Sequence, residues 1–218
     1  MRVVIMAGGR GQRLHPLTEN APKPLLEVGA KPMIQEVIEE FISQDFTDFI
    51  ISVHYLGELI KDYLSDGSNF GCDIDYIDEA EPLGTAGALY YVPDDEPVIV
   101  CNADIQAKLD YKDLVKHHTM AEADATMCLA LYQHQVEYGV VEIENGHMTS
   151  IDEKPIKNYP VSAGINVISP SALVQVPPQP IDMPDLLLGL DNVSAYYISG
   201  HWQDIGTFET YEAAGGKM

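Results

Sequence analysis

Short apolar runs alternate along the chain with polar, glycine-marked breaks, and their internal spacing switches between strand-like and helix-like periods. Residues 3–7 are apolar without interruption, which suits a strand covered on both faces, and they end at Gly8-Gly9. Met33, Ile34, Val37, Ile38 and Phe41 fall on one helical face, predicting a helix over 33–42. The same reading predicts strands over 49–53, 74–77 and 97–101, and helices over 56–64 and 86–91. A helix over 111–121 and a strand over 125–131 follow. Strands alternating with helices in this order predict a parallel sheet covered on both faces.

Beyond about residue 135 the rhythm changes. Short strands are predicted over 139–143, 150–152, 162–168 and 195–198, with Glu144-Asn145-Gly146 as a turn between the first two. Pro177-Pro178-Gln179-Pro180 marks a surface connection, and 207–214 reads as a terminal helix. With no internal repeat and no linker-like tract, one domain over 1–218 is expected.

Hydrophobic residues at 46% and charged residues at 21% describe an ordinary globular chain. No apolar run reaches the ~20 residues that a bilayer span requires, and the apolar start is too short for a signal peptide. A cytoplasmic protein with no membrane partner is expected. Cys72, Cys101 and Cys128 form no C-x-x-C pair and read as small hydrophobes in a reducing compartment. His117 and His118 are adjacent on a predicted helix, point in different directions, and read as exposed.

Charge changes the picture more. Twelve Lys+Arg against 34 Asp+Glu give a net charge of −22, which repels a polyanion and excludes general nucleic-acid binding. The same field opposes any phosphorylated ligand unless the few cations, with metal ions, gather where it binds. Of the three arginines, Arg2, Arg10 and Arg13, two lie in Ala7-Gly8-Gly9-Arg10-Gly11-Gln12-Arg13-Leu14, and Lys23 follows between two prolines. Glycines after a parallel strand let backbone N–H groups approach phosphates, and the cations supply countercharge. A tight turn is the other reading of Gly8-Gly9. The spacing matches neither G-x-G-x-x-G nor G-x-x-x-x-G-K-[ST], which disfavours a Rossmann dehydrogenase and a P-loop NTPase.

The stretch 6–14, followed by Pro22-Lys23-Pro24-Leu25-Leu26, resembles the signature of the sugar-1-phosphate nucleotidyltransferases, among them mannose-1-phosphate guanylyltransferases and glucose-1-phosphate thymidylyltransferases. Lys31-Pro32-Met33-Ile34, Asp66 to Gly71, Pro82-Leu83-Gly84-Thr85-Ala86-Gly87-Ala88, Tyr138-Gly139-Val140-Val141, Glu153-Lys154-Pro155 and Trp202-Gln203-Asp204-Ile205-Gly206 continue the resemblance in family order. Gln12 stands where the family usually has Thr, and Ser162 where Asn often stands.

The resemblance implies an α/β fold: a mixed, mostly parallel central sheet flanked by helices, Rossmann-like and of GT-A type. No hexapeptide repeat announces a β-helix extension. It also implies a nucleotide-binding half over 1–135 and a sugar-phosphate-binding half over 136–218. The implied reaction joins a nucleoside triphosphate to a sugar 1-phosphate with release of pyrophosphate. Asp104 and Asp204 would jointly hold Mg²⁺; by spacing alone each is an ordinary solvated or capping carboxylate. Arg13 would stabilise the departing pyrophosphate and Lys23 would contact the α-phosphate, making Arg13, Lys23 and Asp104 the catalytic set. Ala7, Gly8, Gly9, Gly11, Arg13, Glu79, Gly84 and Thr85 would bind the nucleotide. Gly139, Glu153, Lys154 and Gly164 would receive the sugar phosphate. Glu79 only accepts hydrogen bonds and guanine presents two donors on one edge, which favours GTP; an exposed acid in the run Asp78 to Glu81 is the alternative. The remaining readings are a catalytically silent sugar-nucleotide-binding homologue and a cytidylyltransferase acting on a non-sugar phosphate. Relatives also admit a homo-oligomer, and a domain excised from a longer chain with regulatory modules.

Overall fold

The computed structural model describes residues 1–217. Strand β1 (Val3–Met6) is followed, after a long loop, by the antiparallel two-residue strands β2 (Glu27–Val28) and β3 (Lys31–Pro32). Then come α1 (Met33–Ile42), β4 (Asp48–Val53), α2 (Gly57–Leu64) and β5 (Asp73–Asp78). β6 (Val98–Asn102), the short β7 (Ile105–Ala107) and α3 (Tyr111–Met120) continue the alternation. β8 (Ala125–Gln135), the hairpin strands β9 (Val140–Glu144) and β10 (His147–Asp152), and β11 (Ile156–Ile168) form an antiparallel stretch. The chain closes with α4 (Pro170–Leu173), α5 (Met183–Leu188), β12 (Val193–Tyr197), β13 (Trp202–Asp204) and α6 (Phe208–Ala213).

Seven strands form the central sheet in the order β12-β8-β11-β6-β1-β4-β5. Every neighbouring pair is parallel except those made by β11, which opposes both β6 and β8. This is the mixed, mostly parallel sheet expected. Strands from either side of residue 135 belong to it.

Why the strands read as unbroken apolar runs is plain from their two faces. Val3 and Ile5 pack into a layer with Ile34, Phe41, Ile60, Leu64 and Leu114 from α1, α2 and α3. Val4 packs on the other side with Leu89, Leu173, Leu186 and Leu187. The predicted stripe of α1 is buried throughout, and Phe41 stacks on Tyr111 with ring centroids 4.0 Å apart. A third cluster joins Leu14, Leu26, Val28 and Met33 to Ile205 and Tyr211, clamping the C-terminal segment onto the loop that follows β1.

Several elements differ from expectation. β8 and β11 outrun the predicted 125–131 and 162–168, because their far ends pair with each other outside the core, exposed and with mixed polar and apolar side chains that carry no clean period. Pro160 is tolerated there because β11 pairs with β6 only over 165–168, leaving residue 160 on an edge. Residues 86–91 form a 3-10 turn over Gly87–Tyr91, not an α-helix. The turn between β9 and β10 is as predicted: Asn145 and Gly146 both take positive φ, 50° and 81°, as a two-residue hairpin turn requires.

His118 is a correction, since it is buried rather than exposed. Ser169 Oγ donates to Ala123 O at 2.6 Å, so it accepts from His118 Nε2 at 2.8 Å. His118 Nδ1 then accepts from the Thr126 hydroxyl at 2.8 Å. Burial, with a smaller contribution from His117, lowers the pKa of this ring. All three cysteines are buried, and burial pushes their thiols up, Cys128 to about 12, which leaves them unreactive. Among the described residues no helix is long and apolar enough to cross a membrane.

Candidate active site

The loop after β1 opens at the carboxyl end of the parallel strands, where open α/β sheets leave a crevice. Gly11 caps the 3-10 turn Gln12–Leu14 with φ 60° and ψ 33°. A Cβ on Gly11 would lie 2.9 Å from both Lys23 Cβ and Thr18 Cγ2, so glycine is required by conformation and by space. Gly9 is different: beyond its chain neighbours, a Cβ there meets nothing within 4 Å among the described residues, so packing does not demand glycine. Leu14 is fully buried while Arg13 beside it is exposed, so the turn anchors one side chain and frees the next.

Lys23 sits in the 3-10 turn Lys23–Leu25, almost wholly buried, and a buried ammonium requires a partner. Asp104 provides it as a direct ion pair. Arg2 is held far down β1 by Asp48 and Asp95. Among the described residues Arg10 and Arg13 form no ion pair, although acids outnumber bases almost threefold. Arg10 instead lies over the Tyr55 ring, 5.9 Å from its centroid.

Asp104 and Asp204 are brought together by local pairing. β7 and β13 run antiparallel with Asp204 opposite Ile105, and Ile205 N donates to Asp104 O at 3.1 Å. Ile205 and Leu14 are buried in one cluster, which brings Arg13 to the same place. A Cβ on Gly206 would lie 3.1 Å from Asp204 Oδ1 and 3.2 Å from Arg13 Nη2. Burial and the neighbouring Asp104 charge raise the pKa of Asp204, opposed by Lys23 and Arg13. Asp204 Oδ1 is buried with no hydrogen-bond partner among the described residues. An orphaned carboxylate oxygen beside a second carboxylate is a donor set that suits Mg²⁺, which takes one or two carboxylates and completes its shell with phosphate oxygens and water. Among the described residues no His, Cys, Asp or Glu joins the pair to make a cluster of three, as a closed structural metal site would need.

The opposite wall comes from the end of β5 and the loop after it. Glu79 is buried, with Ser52 Oγ donating to its Oε1 at 2.6 Å and Leu83 N to its Oε2 at 2.8 Å. Gly84 takes φ 78°, and a Cβ there would lie 2.6 Å from Ile181 O. Thr85 N and Oγ1 both donate to Asp182 Oδ1, and Met183 N donates to Thr85 Oγ1 at 2.7 Å. Gly84 and Thr85 therefore build the wall by holding the 181–183 segment. Between the walls lies a cleft of about 570 Å³, within the range of small-ligand sites. The glycine loop, Arg13, Lys23, Glu79, Gly84, Thr85 and Asp104 line it, with Gly206 at the edge next to Asp204.

A family model described as nucleotidyl transferase matches residues 2–218. The chain belongs to this family. Among curated proteins it is similar to the mannose-1-phosphate guanyltransferase of Neurospora crassa, 32% identical over 94% of this chain and 61% of that protein. It thus spans about three-fifths of the length of the curated relatives it matches. Among solved structures, HddC from Yersinia pseudotuberculosis superposes with a TM-score of 0.79 at 28% identity, covering 98% of this chain and 97% of that one. The same protein complexed with GMP-PN gives 0.77 at 26% identity, with the same coverage.

Within this nucleotidyl transferase domain the expected residues divide. Ala7, Gly8, Gly9, Gly11, Arg13, Lys23, Glu79, Gly84, Thr85 and Asp104 meet at the cleft, and Asp204 adjoins it. Gly139, Glu153 and Lys154 do not line it. Glu153 sits against Gly139 at the base of the exposed β9–β10 hairpin, where a Cβ on Gly139 would come 3.0 Å from Glu153 Oε1. Gly164 lies next to the cleft, since a Cβ there would be 2.9 Å from Asn102 Nδ2, and Asn102 lines the floor. The sequence reading missed His54, Asn102, Ser52 and Asp182. Asn102 carried a signal, being two residues before Asp104 at a strand end; the others are ordinary residues whose roles come from packing.

Proposed function

We propose that this domain is an Mg²⁺-dependent nucleotidyltransferase. It would move a nucleoside monophosphate group from a nucleoside triphosphate, GTP first, to a sugar 1-phosphate, mannose 1-phosphate first. The observation that carries this is the convergence of Arg13, Lys23, Asp104 and Asp204 at one end of the cleft, in a chain otherwise short of cations. The names of the curated relatives support guanine and mannose. Glu79 lends guanine less support than its residue type suggests, because both its oxygens are already engaged by Ser52 and Leu83.

A phosphate oxygen of the sugar 1-phosphate attacks the α-phosphorus, forming the new P–O bond as the bond to the β-phosphate oxygen breaks and pyrophosphate leaves. The attacking phosphate is already ionised, so no side chain need remove a proton. A divalent ion on Asp104 and Asp204 would supply neutralisation of phosphate charge. The glycine loop leaves open space at Gly9 for close approach of phosphate. Arg13, in no ion pair among the described residues, offers a planar fork to phosphate oxygens, and Lys23 a point charge at the same end. Positioning and charge carry most of the rate in such transfers. We assign Gly164 to the sugar-phosphate end, with Gly139, Glu153 and Lys154 contributing from the hairpin side.

The test is a matrix assay: purified protein with Mg²⁺, four nucleoside triphosphates and several sugar 1-phosphates, reading pyrophosphate. Release should require both substrates and vanish with EDTA, Asp104→Asn or Arg13→Ala. Binding without turnover across the matrix would assign a silent homologue. Release with CTP and a non-sugar phosphate alone would assign a cytidylyltransferase.

A further inference from the structure

Arg10 is the loop cation to which the reaction described above gives no task. It is exposed and lines the cleft. Among the described residues it forms no ion pair, in a chain with 34 acids. Its guanidinium carbon lies 5.9 Å from the centroid of the Tyr55 ring, near the outer limit of a cation–π contact. Tyr55 itself is well fixed. Its N donates to Gly8 O at 3.4 Å, and its hydroxyl proton is shared between Thr18 O and Glu19 O, each at 3.1 Å. Thr18 Oγ1 donates in turn to Gly11 O at 3.1 Å. The ring is therefore tied to the glycine loop on both sides of Arg10, while the guanidinium over it is only weakly held.

That kind of hold suits a side chain that must change partners. An arginine paired with a carboxylate would leave an uncompensated acid behind when it turned to a phosphate. An aromatic face is neutral, attracts a guanidinium weakly at an exposed site, and leaves no charge behind. We propose that Arg10 rests on Tyr55 and passes from it to the β- and γ-phosphates of the nucleoside triphosphate. It would thus grip the part of the substrate that leaves as pyrophosphate. This rests on the nucleotide reading given above. The planar fork of arginine fits phosphate oxygens, and the room beside Gly9 lets the chain approach them. Arg13 and Lys23 act from the end where Asp104 and Asp204 meet, and Arg10 adds a second grip from the exposed side of the loop.

The experiment uses the full chain with Mg²⁺ and the variants Arg10→Ala and Arg10→Lys. Dissociation constants for GTP, GDP and GMP are measured by calorimetry, and the arginine side-chain signals are followed by NMR. With only three arginines in the chain, loss of a signal in Arg10→Lys assigns it. Arg10→Ala should weaken GTP about tenfold, the size of one lost charge-assisted hydrogen bond, weaken GDP less, and leave GMP unchanged. Arg10→Lys keeps the charge without the fork and should recover part of the loss. The Arg10 δ-protons, shifted upfield by the Tyr55 ring, should lose that shift on addition of GTP and keep it with GMP. Unchanged GTP affinity in Arg10→Ala would overturn the proposal. So would an equal loss for GTP and GMP, which would make Arg10 a contact to the nucleoside, or δ-protons that do not move with GTP. Failure of the wild type to bind any of the three nucleotides would overturn the assigned function itself, and this proposal with it.

Discussion

Replacing Gly9 and Gly11 separately with alanine divides two reasons for glycine in a phosphate-facing loop. At Gly11 the new side chain meets both obstacles. A left-handed conformation at φ 60° costs an L-residue about 1–2 kcal/mol. A methyl 2.9 Å from Lys23 Cβ and Thr18 Cγ2 adds overpacking of roughly 1–3 kcal/mol. Gly11→Ala should therefore lose about 2–5 kcal/mol of stability and displace Lys23 from Asp104. At Gly9 no heavy atom of the described residues, beyond its own chain neighbours, lies within 4 Å of the added methyl. Stability should hold or rise by up to ~1 kcal/mol, because alanine restricts the unfolded chain. The methyl would stand where phosphates approach, so nucleotide affinity should drop about tenfold, equivalent to ~1.4 kcal/mol. Urea denaturation and nucleotide titration on both variants provide the assay. If Gly9→Ala unfolds as easily as Gly11→Ala, or binds nucleotide like the wild type, the assignment of this loop is wrong.

Asp204→Asn removes a charge that the fold disfavours. A raised carboxyl pKa means that its contribution is full below the unfolded value near 3.8 and is lost as pH rises through the higher folded value. The metal-free variant should thus melt higher than wild type at neutral pH, whereas Mg²⁺ should raise the Tm of wild type only. His118 works in the opposite window: its stabilisation is present above 6.5 and lost as pH falls from 6.5 through the lower folded pKa. Chemical denaturation across that interval should show a decline that His118→Gln flattens. Ile205→Ala should cost about 2–5 kcal/mol in urea denaturation and, by loosening the cluster it shares with Leu14, impair turnover beyond the loss of folded protein.

What the chain disclosed, and what it withheld, follows from how far apart the cooperating residues lie. The stripe from Met33 to Phe41 is local, so α1 was legible to its ends. β7 and β13 have three residues each, too few to carry a period, yet their register sets Asp204 beside Asp104. Arg13 and Lys23 stood out because cations are scarce, whereas the burial of Leu14 with Ile205 that draws Arg13 to Asp204 leaves no local mark. Residue type told that Glu79 accepts hydrogen bonds, and only the fold shows that Ser52 and Leu83 already supply them. Glu153 and Lys154 were named by motif, and the exposed turn between β10 and β11 keeps them out of the cleft lining.

Crystals grown with Mn²⁺ and a non-hydrolysable GTP analogue, measured at the manganese edge, address the joint role of the two aspartates most directly. One anomalous peak should appear with carboxylate oxygens of Asp104 and Asp204 in its coordination sphere and Lys23 released from Asp104. A peak that touches neither aspartate, with the Lys23–Asp104 ion pair intact, would contradict it.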